Sequence, residues 1–314
     1  DRQLTWFDRS GKVLGLVEQP GQYESVVLSP DGTRLAFDRI DSKARTGTED
    51  LWVHEFARNT TTRLTFDPAR DQYPVWSPDG SRLAWSSTRD GARNLYQKGA
   101  NGAGTDEALL KSSDPKFAAD WSPDGRFLLY SVFRGAPAKA EIWALPLTGD
   151  DRKPTLYLQQ TGFNVERARF SPDGRFVAYT SDASGRNEVY VQPFPAATGG
   201  KWQVSQGGGS RPRWRRDGKE LFYISASNVM AVTVGTTAGT TAATTPTFTA
   251  GVPKVLFAAP FWGGAEGAVN PASRYDVTAD GQKFLINTVP QADTTTAPPA
   301  PITMVLNWTE GLRR

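Results

Sequence analysis

Cysteine is absent from the 314 residues, histidine occurs once and methionine twice. No cysteine means no disulfide framework, no thiolate catalysis and no cysteine-based zinc site. A single histidine, His54, excludes histidine-clustered metal sites, and any catalytic triad would have to be built on it. Charge of one sign is also lacking: 36 basic against 33 acidic residues leave a formal +3, which gives no basis for a nucleic-acid binder. The longest apolar stretches, such as residues 255–260, fall far short of the roughly 18 residues a membrane-spanning helix needs. The chain starts at Asp1 without methionine or a signal segment, as expected of an excised or processed piece.

What is present points one way. Ten Trp, nine Tyr and 16 Phe accompany 30 Gly and 22 Pro, a balance of short strands and tight turns. Ser-Pro-Asp-Gly occurs at residues 29–32, 77–80, 122–125 and 171–174, each time leading into an apolar run. Degenerate copies follow at 215–218 and 278–281. The motif aspartates at 31, 79, 124, 173, 217 and 280 are spaced by 48, 45, 49, 44 and 63 residues. Each copy is preceded by one strand and followed by a second. An aliphatic–aromatic pair then marks a third (Leu51-Trp52, Leu95-Tyr96, Ile142-Trp143, Val189-Tyr190), and a variable fourth closes the unit. Four antiparallel strands in about 45 residues is the pattern of a propeller blade.

The fold class expected is therefore all-β: one six-bladed β-propeller domain over residues 1–314, with no helical period. Terminal strands should close the ring in the last blade, with residues 302–308 as its third strand and the N-terminal segment as its outer one. Closure would remove free sheet edges. The Thr/Ala tract 235–251 and the Thr/Ala/Pro stretch 292–301 read as flexible insertions. Gln206 to Ser210, with its three glycines, reads as a connecting loop, since it lacks the strand–loop–helix setting of a phosphate cradle.

Six equivalent aspartates at turns are turn formers, because catalysis needs dissimilar groups that converge. The motif serines follow the same logic, and His54 reads as a strand histidine. Trp76, Trp121, Phe170 and Trp214 share one register, three residues before the motif Asp, and read as packing between blades more than as a carbohydrate platform. Four and six residues before that Asp, on the innermost strands, stand Arg169, Arg167, Arg213, Arg211, Arg274, Asp120, Asp276 and Tyr73. Two readings of these channel candidates stay open: an anion site built on guanidinium forks, or an inter-blade salt-bridge network. Arg215 and Arg216, replacing Ser-Pro in the fifth copy, read as exposed turn residues. No cofactor is implied, although the channel leaves room for an all-oxygen Ca²⁺ site.

The repeated W-S-P-D-G-x-x-[LF]-[AL]-[FWY] followed by [LIV]-[WY] resembles the TolB-type propeller repeat, over residues 22 to 288. The opening LTWFDRSGK and closing ITMVLNWTEGLRR resemble the ends of the propellers that follow the membrane helix in certain bacterial serine/threonine protein kinases. That resemblance implies a periplasmic or extracellular sensor domain, C-terminal to a transmembrane helix in the parent chain. With the channel arginines, the partner expected is an anionic small molecule, peptide or protein at the channel mouth, without nucleic acid and without the fragment itself inserting into the membrane. No kinase motif is present, so this fragment is expected not to be an enzyme. A TolB-like periplasmic protein-interaction scaffold is the first alternative. A propeller-fold enzyme or the gating domain of a peptidase is the second.

Overall fold

The computed structural model describes residues 1–40, 48–135, 137, 139–149, 151–237, 247–261 and 272–290. Among them every regular element is a β-strand. The motif turn explains why strands recur so regularly. Ser77 Oγ donates to Asp79 Oδ1 at 2.6 Å and accepts Arg82 N at 2.9 Å, while Asp79 Oδ1 accepts Ser81 N at 3.0 Å. Gly80 N bonds Ser77 O at 2.9 Å with φ of +68°, a backbone region where glycine carries no steric cost. In the sixth copy Thr278 replaces the serine and donates to Asp280 Oδ1 at 2.6 Å. In the fifth, the Arg215 guanidinium grips both oxygens of Asp217 at 2.7 Å. Arg215 is therefore half-buried and built into its turn, and only Arg216 is the exposed residue expected there.

Among the described residues strand pairing gives three separate sheets of four strands, one of five in which a run of four gains one extra partner, and one of seven. The seven-stranded sheet exists because one long strand, Val13–Leu28, serves two units. Its first part pairs with Arg2–Asp8, and its second part pairs with Arg34–Ile40. Divided there, the strands are consistent with six blades. Their innermost strands are the end of Val13–Leu28, then Asp71–Trp76, Lys116–Trp121, Val165–Phe170, Ser210–Trp214 and Tyr275–Val277.

Six apolar clusters fill the six seams between neighbouring blades. The second strand of the fourth blade, Phe176–Ser181, is buried along its whole length. Alternation decides the seam each side chain enters. Val177 and Tyr179 pack toward the third blade, whereas Phe176 and Ala178 pack toward the fifth. Burial on both faces is why these second strands read as continuous apolar runs.

Two expectations change. The tract 235–251 is not a loop at its ends: Asn228–Thr237 and Thr247–Ala250 pair antiparallel from Val234↔Ala250 to Thr237↔Thr247. β-branched threonines suit a pleated strand, and Phe248, buried against Phe176, Trp202 and Trp214, anchors the ribbon. Second, Arg2–Asp8 sits directly beside Lys283–Thr288 as the third strand of the sixth blade, and residues 13–17 lie outside it. That register buries Leu4 and Phe7 in two different seams. The place expected for residues 302–308 is thus already filled. Those residues, like 292–301, lie outside the described ones.

Candidate functional site

The motif turns of all six blades surround one cavity of about 390 Å³ at one end of the channel. Its rim carries Pro30, Pro78, Pro123, Pro172, Arg216 and Ala279, the six residues at the motif proline position. Trp76, Trp121, Phe170 and Trp214 line it below, and Asp120, Arg169, Arg213 and Asp276 form the floor. Arg216 reaches from the fifth blade across to the first, where its guanidinium donates to Pro30 O.

The channel candidates do not form one group. Residues four before the motif Asp (Asp120, Arg169, Arg213, Asp276) reach the cavity, and those six before it (Tyr73, Arg167, Arg211, Arg274) do not line it. On the upper level Arg213 pairs with Asp276 at 3.1 Å, and both Arg213 and Arg169 donate to Ser273 Oγ at 2.8 Å. Arg169 and Asp120 are half-buried and present opposite charges to the cavity. Burial, followed by the neighbouring Arg213, lowers Arg169 to about 10, and Asp120 and Asp276 oppose that shift, so the guanidinium stays charged at neutral pH. Burial raises Asp120, against the pull of Arg169 and of the Phe170 N–H.

On the lower level Arg167 pairs with Glu166 at 2.7 Å. Arg211 is among the most fully buried side chains and donates to Ala272 O at 3.4 Å. Burial, then the charges of Arg167 and Arg274, lower Arg211 well below an ordinary arginine, and Glu166 partly compensates. Burial also lowers Arg274, which feels the opposing charge of Glu24. Tyr73 stands on another wall, its ring tilted against Phe117 with centroids 5.6 Å apart and with Arg93 over its ring. Burial raises its phenol.

One device was invisible in the sequence. Tyr73, Arg167 and Arg211, at equivalent positions, all take φ near +58° (59°, 58° and 57°) inside β-bulges of their inner strands. The bulge turns a backbone N–H toward the preceding blade. Tyr73 N donates to Asp38 Oδ2 at 3.0 Å and Arg211 N to Thr180 Oγ1 at 3.2 Å. Ala118 N, beside the bulge of its own strand, does the same to Ser86 Oγ at 2.8 Å. Only the shared register at six residues before the motif Asp could have hinted at it.

A second seam device accounts for both aspartates. Asp120 accepts Phe170 N at 2.7 Å, and Asp276 accepts Leu28 N at 2.8 Å, each from the next blade. Where the same position is not acidic, the next blade can offer a tryptophan. Trp76 Nε1 donates to Val27 O at 3.0 Å and Trp214 Nε1 to Arg169 O at 3.2 Å. Trp121 departs from this, donating to Gly125 O of its own turn at 3.1 Å. The aromatics at this position pack into or against the seam clusters.

His54 is buried, and its Nδ1 lies 2.9 Å from Glu18 Oε1 and 2.8 Å from Thr61 Oγ1. Acid and hydroxyl share one ring nitrogen, so the imidazole cannot relay a proton between them as a triad would. Among the described residues no three His, Asp or Glu side chains are grouped to hold a metal, and no helix is long and apolar enough to cross a membrane.

Comparison with known proteins agrees with this architecture. Residues 9–153 match the family model of the TolB beta propeller domain. A relative from Bacillus subtilis, the uncharacterized peptidase YuxL, is 27% identical over 205 residues, which is 52% of this chain and 31% of the relative. The chain thus spans about a third of that protein. A solved structure described as TolB from Agrobacterium tumefaciens superposes with a TM-score of 0.68 at 18% identity, covering 91% of this chain and 97% of that one. TolB from Acinetobacter baumannii gives 0.54 at 17% identity, covering 85% and 64%. Residues 9–153 thus match a TolB-type propeller domain, and the chain as described has the β-propeller fold of these structures.

Proposed function

We propose that this chain is a non-catalytic interaction scaffold that takes a protein or peptide segment at the channel mouth. One observation carries the reading: six motif turns converge on a single cavity of about 390 Å³ with a proline and aromatic wall and a floor of both charges. Rigid apolar rings supply contact area at little entropic cost, and a charged pair beneath them fixes orientation. The five arginines considered as one anion site divide between two levels, and the upper pair is balanced by Asp120 and Asp276. That balance suits a peptide with backbone and mixed side chains better than a small anion.

Two finer readings attach to the same surface. The extracytoplasmic sensor of a bacterial serine/threonine kinase rests on the resemblance of the terminal segments, and a periplasmic or extracellular location goes with it. A kinase domain and a spanning helix upstream in the parent gene would support it, and their absence would end it. The gating propeller of a longer peptidase is favoured by the match to about a third of the YuxL peptidase.

The scaffold reading is tested by titrating peptide mixtures and simple anions into the protein while following tryptophan fluorescence and melting temperature. A segment bound in the mouth should raise the melting temperature, and Arg169→Ala should weaken it ~10-fold or more, the scale of one lost charged contact. A shift untouched by Arg169→Ala would move the site elsewhere. Silence across the panel would count against the mouth as a binding surface.

A further inference from the structure

The first and second blades hold a carboxylate pair that neither the channel mouth nor the turns use. Asp38 and Glu49 sit on the second and third strands of the first blade, with their side chains buried. Asp38 accepts the backbone N–H groups of Ser25 and of Tyr73, the latter at 3.0 Å. Glu49 Oε2 accepts Gln72 Nε2 at 2.6 Å. That bond fixes the amide orientation, because the flipped amide would set oxygen against oxygen. Ser25, Asp38, Tyr73, Gln72 and Glu49 thus form one linked group across the seam.

Among the described residues, three buried oxygens of this group have no hydrogen-bond partner: Glu49 Oε1, Gln72 Oε1 and Ser25 Oγ. The first two can only accept. A buried acceptor left without a donor costs free energy, so the group calls for a guest that brings positive charge or protons. Among the described residues no Lys or Arg forms an ion pair with Asp38 or Glu49, although Glu24, Arg70 and Arg93 act on Glu49 from further off. Burial raises both carboxyls, and the charge of Glu49 raises Asp38 further.

We propose that Asp38, Glu49, the Gln72 amide oxygen and the Ser25 hydroxyl form an all-oxygen site for Ca²⁺ in the seam between the first and second blades. Two carboxylates match the charge of a divalent ion. An irregular set of carboxylate, amide and hydroxyl oxygens suits calcium's flexible coordination better than the strict octahedron of Mg²⁺. The site is separate from the channel-mouth cavity, so it stands or falls independently of the scaffold reading.

The test is calorimetric titration of CaCl₂ into chelator-treated protein near neutral pH, with MgCl₂ in parallel. Terbium luminescence sensitised by the protein's aromatic residues gives a second readout. The expected result is one Ca²⁺ per chain, a higher melting temperature and weaker binding of Mg²⁺. Glu49→Gln should weaken Ca²⁺ binding ~100-fold, within the range over which ligand charge tunes such sites. Ser25→Ala, which keeps both carboxylates, should weaken it less and serves if Glu49→Gln does not fold. No calcium-dependent heat or melting shift at millimolar concentration in the unaltered protein would overturn the proposal and leave the pair holding a shared proton or water. Binding unchanged in both variants would overturn it equally, by moving the ion elsewhere.

Discussion

Ser122 shows how much one motif side chain holds. It is buried, donates to Asp124 Oδ1 at 2.6 Å and accepts Phe127 N at 2.8 Å. Ser122→Ala strands that N–H and frees the aspartate, so a loss of about 1–2 kcal/mol is expected in urea unfolding. Ligand binding at the mouth should be unaffected, as befits a turn former. The aspartates add a pH signature. Hydrogen bonds from the motif serine and from the residues after the glycine hold Asp31 and Asp79 at about 2. A carboxyl depressed in the folded state stabilises it above the ordinary value near ~4, and that contribution fades as pH falls toward ~2. Both groups are largely exposed, so each should be worth no more than ~1 kcal/mol. Asp31→Asn with Asp79→Asn should flatten the acid limb of melting temperature against pH; a limb of unchanged steepness would contradict it.

Among the elements, the inner strands carry the most information and were the least legible. Alternation alone would place residues four and six before the motif Asp on one face of an inner strand, which is why five arginines read as one cluster. Bulges at Tyr73, Arg167 and Arg211 break that alternation and separate the two levels. A bulge depends on which N–H the neighbouring blade can accept, and that neighbour lies some 45 residues away in sequence. The tract 235–251 hides its strands for a related reason. Its threonines look like low complexity until Phe248 finds the seam against Phe176 and Trp202. Arg213 tests the seam most directly, since it bridges to Asp276 and Ser273 in the sixth blade. Arg213→Ala leaves a buried carboxylate without its cation, and a cost of about 3–5 kcal/mol is expected in chemical denaturation. Asp276 also accepts the N–H groups of Leu28 and Val277, and a cost below ~1 kcal/mol would mean that these alone satisfy it.

For the whole molecule, the decisive feature is where the ring is sewn. Arg2–Asp8 lies between Lys283–Thr288 and residues 13–17, and the Arg9 guanidinium ties the following turn to Glu220 of the fifth blade. Removing residues 1–17 would expose the edge of Lys283–Thr288 and open the seams that hold Leu4, Phe7 and Val17. Three such side chains are worth roughly 1.5–3 kcal/mol each, comparable to the whole stability of many domains. The truncated protein is expected to lose its cooperative melt and to aggregate on size-exclusion chromatography through the open edge. A monomeric, cooperatively melting truncation would show that something else closes the blade.

The sequence by itself determined the repeat, the turn chemistry, the all-β class and a blade count of six with which the strands agree. These rest on local interactions within a few residues of each Ser-Pro-Asp-Gly, and local interactions repeat whenever the residues do. Tertiary structure alone decided which terminal strand fills the third place in the sixth blade. It also set the depth of each arginine in the channel, the partners of Asp120 and Asp276, and the meeting of Asp38 with Tyr73 and of Glu49 with Gln72. Each of these depends on a donor or acceptor supplied by another blade, and no local pattern carries that information.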